Sequence, residues 1–256
     1  MSLESRLARL DLDWIIPDWP APSNVRAVMT TRNADIEDGA RRSMNLGRAA
    51  GDAVVGVTRN RVLLRDVCGV DTVWLSQVHG TTVARIDDAK EPIEADGALA
   101  TQPGRAASIR VADCLPVLFC TRDGRRVAAA HAGWRGLNAG ILEETVAAID
   151  APGREILAWL GPAIGARAFE VGDDVHRALV DRDPNAAIAF VPYPEREGKW
   201  LCDLYALARM RLRRMGIESI SGGGFCTVTD ESRFFSYRRD KSVERMAATI
   251  WIEPRV

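Results

Sequence analysis

The stretch Ser108-Ile-Arg-Val-Ala-Asp-Cys-Leu-Pro-Val-Leu-Phe-Cys-Thr-Arg-Asp-Gly-Arg-Arg-Val-Ala-Ala-Ala-His-Ala-Gly-Trp-Arg-Gly136 decides how this chain is read. Residues 108 to 111 and 116 to 120 are short apolar runs that read as two strands, separated by the turn Ala112-Asp-Cys-Leu115. Arg126-Val-Ala-Ala-Ala130 is a third strand, and it runs into a turn that carries His131. A helix follows, with Ile141, Leu142, Thr145, Val146 and Ile149 at helical spacing on the inward face. A cysteine and a histidine therefore stand where strands give way to turns.

The same alternation extends in both directions. Val25-Arg-Ala-Val-Met29 and Val73-Trp-Leu-Ser76 read as strands, and between them Asp52 can cap a helix that puts Val54, Val57, Leu64 and Cys68 on one face before Gly69 stops it. Ile156-Leu-Ala-Trp-Leu160 is a strand ending in Gly161-Pro162. Asp203 caps a helix with Leu204, Leu207, Ala208, Leu212 and Met215 on one face and Gly216 beyond its end. Met246-Ala-Ala-Thr-Ile-Trp-Ile252 is a closing strand. There are no repeats, low-complexity tracts or linkers. The fold class expected is α/β, a single layered domain over residues 1–256 with a central mixed sheet flanked by helices.

Composition sets outer limits. With 256 residues, 47% of them hydrophobic and 27% charged, the chain can bury a large core. Its 34 basic and 35 acidic residues nearly cancel, so no global field draws it to nucleic acid or to an anionic membrane. No apolar run approaches the ~20 residues that span a bilayer. Five cysteines, an odd number without local pairing, and a start without an apolar signal segment lead to the expectation of a reducing cytoplasm.

Polar residues at strand ends are the usual place for ligands in α/β folds. His79 in Gln77-Val-His-Gly80, Cys114 and His131 together have the makings of an open zinc site, which takes three protein ligands and keeps a fourth position free. Thirty-five residues separate the first pair and seventeen the second, so no local spacing rule applies, and separate core or turn roles stand beside a shared site. Arg135 can fork onto a phosphate or carboxylate, because Gly133 and Gly136 let an anion approach the backbone, or it is a solvated turn arginine. Asp113 can be a general acid or base, a partner that orients a histidine, or a turn aspartate. Ser43 and Asn45 in Ser43-Met-Asn-Leu-Gly47 can hold a base or sugar, or serve the turn alone. Glu170 is a buried carboxylate or a helix-start residue. His176, on the solvated side of a short helix from 173 to 179, stays outside the site.

Counting separates metals. A multicopper relay demands on the order of ten histidines, and the chain has 3. A zinc deaminase usually carries His-x-Glu followed by Pro-Cys-x-x-Cys, and neither string occurs. A metal that activates water here would then draw its proton partner from Asp113 or Glu170.

Gln77-Val-His-Gly80, Ala95-Asp-Gly97, Ala112-Asp-Cys114, His131-Ala-Gly-Trp-Arg-Gly136, Leu160-Gly-Pro162, Phe169-Glu-Val-Gly172 and Ser232-Arg-Phe-Phe-Ser-Tyr-Arg-Arg239 follow one another in order. Together they resemble the laccase-domain family, also labelled polyphenol oxidase, purine nucleoside phosphorylase and peptidoglycan editing factor, from about Val25 to Ile252. The resemblance implies an α/β layered fold with one zinc on His79, Cys114 and His131. It implies phosphorolysis of adenosine, inosine, guanosine and methylthioadenosine, with adenosine deamination as a second activity and purine nucleosides and phosphate as partners. Arg32, with the loop from Ser43 to Leu46, then borders the nucleoside, and Gln77 belongs to the same site. Where members carry Gly-Gly-Val-Ser after that arginine, this chain has Asn33-Ala-Asp-Ile36; where many have Cys-Cys before the aromatic residue, it has Arg167-Ala168.

Other readings remain open. One is an amidase that removes wrongly incorporated serine from a UDP-muramoyl peptidoglycan precursor, as the editing label implies. A second is a metal-free hydrolase with Cys114 as nucleophile and His79 or His131 as base. A third is a phenol oxidase using copper, and a fourth a zinc-stabilised binding module, although a closed structural site needs a fourth ligand that the sequence does not offer.

Overall fold

Leu118, Cys120, Val127, Ala129, Leu157 and Trp159 share one buried cluster with Val25, Ala27, Ile109, Val111, Ala248 and Ile250. The computed structural model, which describes residues 2–37, 40–47 and 53–253, places the first six on one sheet and the last six on another. The two sheets therefore lie face to face. The alternate residues of the first set of strands, among them Val117, Phe119, Ala128, Ala130, Ile156 and Ala158, point the other way into a cluster with Leu137, Ile141, Leu142, Leu207 and Leu212 of the helices. On the far side of the molecule Val28, Ala106, Ala247 and Trp251 meet Leu3, Leu7, Leu64 and Val67. The period of two along each strand thus builds four layers: helix, sheet, sheet, helix.

One sheet runs in the order Val25–Met29, Met246–Ile252, Arg105–Val111, Asp71–Ser76 and Ile93–Glu94. The other runs Ser219–Gly222, Ile156–Leu160, Leu115–Thr121, Val127–Ala132, Gly97–Ala100 and Val83–Arg85. Both mix parallel and antiparallel pairs. The α/β class with mixed sheets flanked by helices is as expected, but the central layer is double. Every residue of Leu115–Thr121 is buried, so its apolar run looks alike whether helices or a second sheet cover a face. Three residues, Ala112, Asp113 and Cys114, carry the chain from Arg105–Val111 in one sheet to Leu115–Thr121 in the other, and Asp113 makes that passage at φ 83°, in the left-handed region that few non-glycine residues enter.

Other differences are local. His131 lies within the strand Val127–Ala132 and not in the turn beyond it. The following helical stretch is two helices, Trp134–Ala139 and Ile141–Ile149, interrupted at Gly140 with φ 109°. Val54 is exposed on the helix Ala53–Cys68, whose packed side is Val57, Leu64, Val67 and Cys68, and the capping role given to Asp52 lies outside the described residues. Asp203 does cap Leu204–Arg214, accepting from Ala206 N at 3.0 Å. His176 is half-buried rather than solvated, stacked on Trp200 with ring centroids 3.9 Å apart. Among the described residues no helix is long and apolar enough to cross a membrane.

Candidate metal centre

Three chain segments converge at the same end of the paired sheets. His79 comes from the loop after Asp71–Ser76, Cys114 from the passage between sheets, and His131 from the end of its strand. One ligand atom from each lies within 4.8 Å of the other two, so a single point sits within about 2.8 Å of all three. Zinc bonds sulfur at ~2.3 Å and imidazole nitrogen at ~2.0–2.1 Å, so closure onto an ion takes shifts of several tenths of an ångström. Among the described residues no fourth histidine, cysteine or carboxylate joins the group, which is the donor set of an open site.

His131 is buried, and its Nδ1 meets Asp96 Oδ1 at 2.8 Å. That bond leaves Nε2 for a metal and fixes the ring plane. The same carboxylate accepts backbone N–H bonds from Val78 at 3.0 Å, His79 at 3.0 Å and Gly80 at 2.7 Å. Three successive N–H groups turned onto one carboxylate demand a curled backbone, and His79 accordingly has φ 63°. Asp96 thus holds two of the three ligands. His79 Nε2 faces Cys114 Sγ at 3.9 Å. Gly133 completes the cradle: a Cβ there would sit 2.8 Å from Cys114 Sγ and 3.3 Å from His79 Cδ2.

Electrostatics suit a cation. Burial by itself raises the Asp96 carboxyl, but bonds from His131, Gly80 and Val78 outweigh it and hold the group below the usual carboxylate range. Burial likewise opposes a thiolate at Cys114, yet the charge of His131 and the bonds from both histidines bring it to about 6 in the metal-free triad. Burial disfavours a charged His131, and the Cys114 thiolate and Asp96 reverse this, raising it to about 9. A site that favours a thiolate beside a carboxylate-held imidazole has a zinc-type donor chemistry.

The triad lies in a cleft of about 970 Å³. Asn45, Gln77, Asp113 and Arg135 line it with the ligands, as do Arg110, Phe169, Tyr237, Arg238 and Arg245. Arg135 is exposed and its guanidinium lies over the Trp134 ring at 4.5 Å. Gln77 spends both ends of its amide on the Arg110 backbone, so it shapes the wall. Asn45 Oδ1 accepts from Gly47 N and Arg245 N.

Three sequence-derived candidates lie outside this lining. Arg32 donates to Glu231 O and covers the Phe235 ring. Ser43 donates to Glu244 at 2.7 Å, and Glu170 accepts from Arg196 at 2.8 Å, at the edge of a small three-stranded sheet. Asp113 is in the cleft but does not orient a histidine: its carboxylate takes the Thr227 hydroxyl and the Arg238 amide. Sequence reasoning missed Asp96, Arg110, Tyr237, Arg238 and Arg245. Asp96 sits inside the quoted Ala95-Asp-Gly97, and Tyr237 and Arg238 inside the quoted run to Arg239, so the signal was proximity to ordered motifs.

A family profile described as multi-copper polyphenol oxidoreductase laccase matches residues 26–253. A purine nucleoside phosphorylase of Pseudomonas aeruginosa is 48% identical over 240 residues, covering 94% of this chain and 98% of its own. One from Escherichia coli is 47% identical over 243 residues, covering 93% and 98%. The crystal structure of a Neisseria meningitidis protein matches with a TM-score of 0.89 at 46% identity over 94% of this chain and 100% of that one. A Bacillus licheniformis structure gives 0.78 at 28% identity, with 90% and 93% covered.

Proposed function

This chain belongs to the multi-copper polyphenol oxidoreductase laccase family, and from that premise we propose that it is a zinc-dependent purine nucleoside phosphorylase acting on adenosine, inosine, guanosine and methylthioadenosine, with adenosine deamination as a second activity. The observation that carries the reading is a candidate three-ligand metal site in the wall of a cleft with four arginines and one carboxylate, together with relatives named purine nucleoside phosphorylase. The cleft volume is at the upper end of the range for small-ligand sites, enough for a nucleoside and a phosphate side by side.

In phosphorolysis the bond from sugar C1′ to the purine nitrogen breaks, a bond from C1′ to a phosphate oxygen forms, and the purine leaves with a proton. Arg110, Arg238 and Arg245 each donate to backbone carbonyls, so their charges are held in place before phosphate arrives. Arg135 makes no hydrogen bond or ion pair among the described residues and can swing its fork onto the phosphate. Phe169 and Tyr237 add aromatic surface to the lining against which a purine can pack. His79, Cys114 and His131 would hold the zinc, which would supply Lewis acidity and positive charge to the cleft.

Metal-replete protein incubated with each nucleoside and phosphate is expected to release purine and the matching sugar 1-phosphate in equal amounts: ribose 1-phosphate from adenosine, inosine and guanosine, and 5-methylthioribose 1-phosphate from methylthioadenosine. No sugar 1-phosphate from any of the four, at one zinc per chain, overturns the reading. Four guanidiniums exceed what one phosphate needs, which favours as second reading the amidase on a UDP-muramoyl precursor carrying serine. Free serine released from that precursor, without ribose 1-phosphate from nucleosides, identifies it.

A further inference from the structure

Asp113 precedes the metal ligand Cys114 and holds a left-handed backbone at φ 83°. Its Oδ1 accepts the hydroxyl of Thr227 at 2.6 Å and its Oδ2 the backbone N–H of Arg238 at 2.7 Å. Its own carbonyl accepts from Ile164 N at 2.9 Å. Each carboxylate oxygen thus takes a donor, and both donors belong to a segment more than a hundred residues away. That segment is itself a unit: Arg239 donates to the carbonyls of Thr227, Val228 and Phe234. It brings Tyr237 and Arg238 to the cleft.

We propose that Asp113 is a positioning residue, a clasp that registers the cleft wall bearing Tyr237 and Arg238 against the turn bearing Cys114. Substrate held by the wall is thereby placed against the metal ligands, and Asp113 transfers no proton. Each oxygen meets a donor of the protein, which ties Asp113 to the wall, and the test below separates that role from proton transfer. Other ties secure the segment to the body, from Arg32 N to Arg233 O, Asn33 to Ser232 O and Thr227 N to Ala163 O, so opening the clasp shifts the wall without unfolding the chain.

The chemistry of the two partners supplies the test. In Asp113→Asn the amide oxygen still accepts from Arg238 N–H, and the amide NH2 donates to the Thr227 hydroxyl, which accepts as readily as it donates. Asn therefore rebuilds the clasp without a titrating group, whereas Asp113→Ala and Thr227→Val break it. Amide hydrogen exchange of residues 237–240 is expected to quicken roughly tenfold or more in Asp113→Ala, less in Thr227→Val, and to stay near wild type in Asp113→Asn. This arm does not depend on the reaction. In the arm that rests on the phosphorylase reading, Asp113→Ala raises KM for phosphate about tenfold while kcat changes less than about threefold, and Asp113→Asn keeps both near wild type. The thiolate absorption of the cobalt-substituted protein persists in all three variants. An Asp113→Asn protein with normal exchange but kcat lost as completely as in Asp113→Ala would make Asp113 the acid or base and sink the proposal. Exchange at 237–240 unchanged in both Asp113→Ala and Thr227→Val sinks it equally. Altered exchange in Asp113→Ala and Thr227→Val, with no phosphorolysis by the wild-type protein, would count against the assigned reaction and leave the clasp standing.

Discussion

Asp96→Asn is the sharpest perturbation the metal centre offers, because the substitution changes little but the donor pattern. Oδ1 accepts from His79 N and His131 Nδ1, and Oδ2 from Val78 N and Gly80 N. An asparagine has one acceptor oxygen, so its NH2 must face two of those donors whichever way it turns. Turned toward Val78 and Gly80, it opposes two backbone N–H groups and uncurls the loop that aims His79. Turned toward His131, it forces Nδ1 to accept, which moves the imidazole proton to Nε2 and removes the lone pair a metal needs. Two hydrogen bonds to a charged group, at ~1.5–3 kcal/mol each, put the cost near 3 kcal/mol or more in this buried setting. At roughly 2–4 °C per kcal/mol for a chain of this size, metal-free protein should melt about 6–12 °C lower. Loss of such an outer partner typically costs 10- to 100-fold in metal affinity. Competition with a chromophoric chelator measures the affinity, and calorimetry of the stripped protein measures the melting point. Zinc affinity within twofold of wild type and an unchanged melting point would refute the assignment of Asp96 as the residue that holds both histidine ligands.

Gly133→Ala places a methyl 2.8 Å from Cys114 Sγ, and overpacking of this kind costs about 1–3 kcal/mol; chelator competition should find zinc bound more weakly by tenfold or more, with the metal-free melting point moving far less than in Asp96→Asn. Arg135→Lys keeps the charge but loses the fork, so KM for phosphate should rise about tenfold, whereas Arg32→Lys, outside the cleft, should leave phosphate saturation unchanged. Equal effects in the two variants would show that the anion sits elsewhere. Copper added to stripped protein should compete for the same triad and support at most slow phenol oxidation, with elemental analysis giving close to one metal per chain.

The strands were legible because their apolar runs are bounded by turn residues, and Met246–Ile252 was bounded correctly at both ends. What the sequence hid was the pairing of layers. Residues alternating along Leu115–Thr121 face a second sheet on one side and helices on the other, and both surfaces are equally apolar. The metal ligands were legible as residue types at strand ends. Asp96 was not, since its four donors come from a loop sixteen to eighteen residues before it and from a strand thirty-five after it, a convergence that no local pattern encodes. The direction of Arg32 was hidden for a different reason: a long side chain next to a promising turn can point several ways, and here it lies on the Glu231 carbonyl and the Phe235 ring.

The family description names a multi-copper oxidase, and the fate of the third histidine bears on how far that applies to this chain. Reducing oxygen to water through four coppers requires on the order of ten imidazoles grouped at two centres. The chain has 3 histidines in all. Two of them share a ring contact at 4.7 Å in the triad. The third, His176, on a different element, is stacked on Trp200 and meets Phe190 edge to face, with no acidic or sulfur ligand grouped around it among the described residues. At most two imidazoles and one thiolate can therefore meet at one point. Such a donor set can hold one ion open to the cleft, so whatever chemistry the family shares in this chain must be chemistry that a single metal and the four guanidiniums of the cleft can perform.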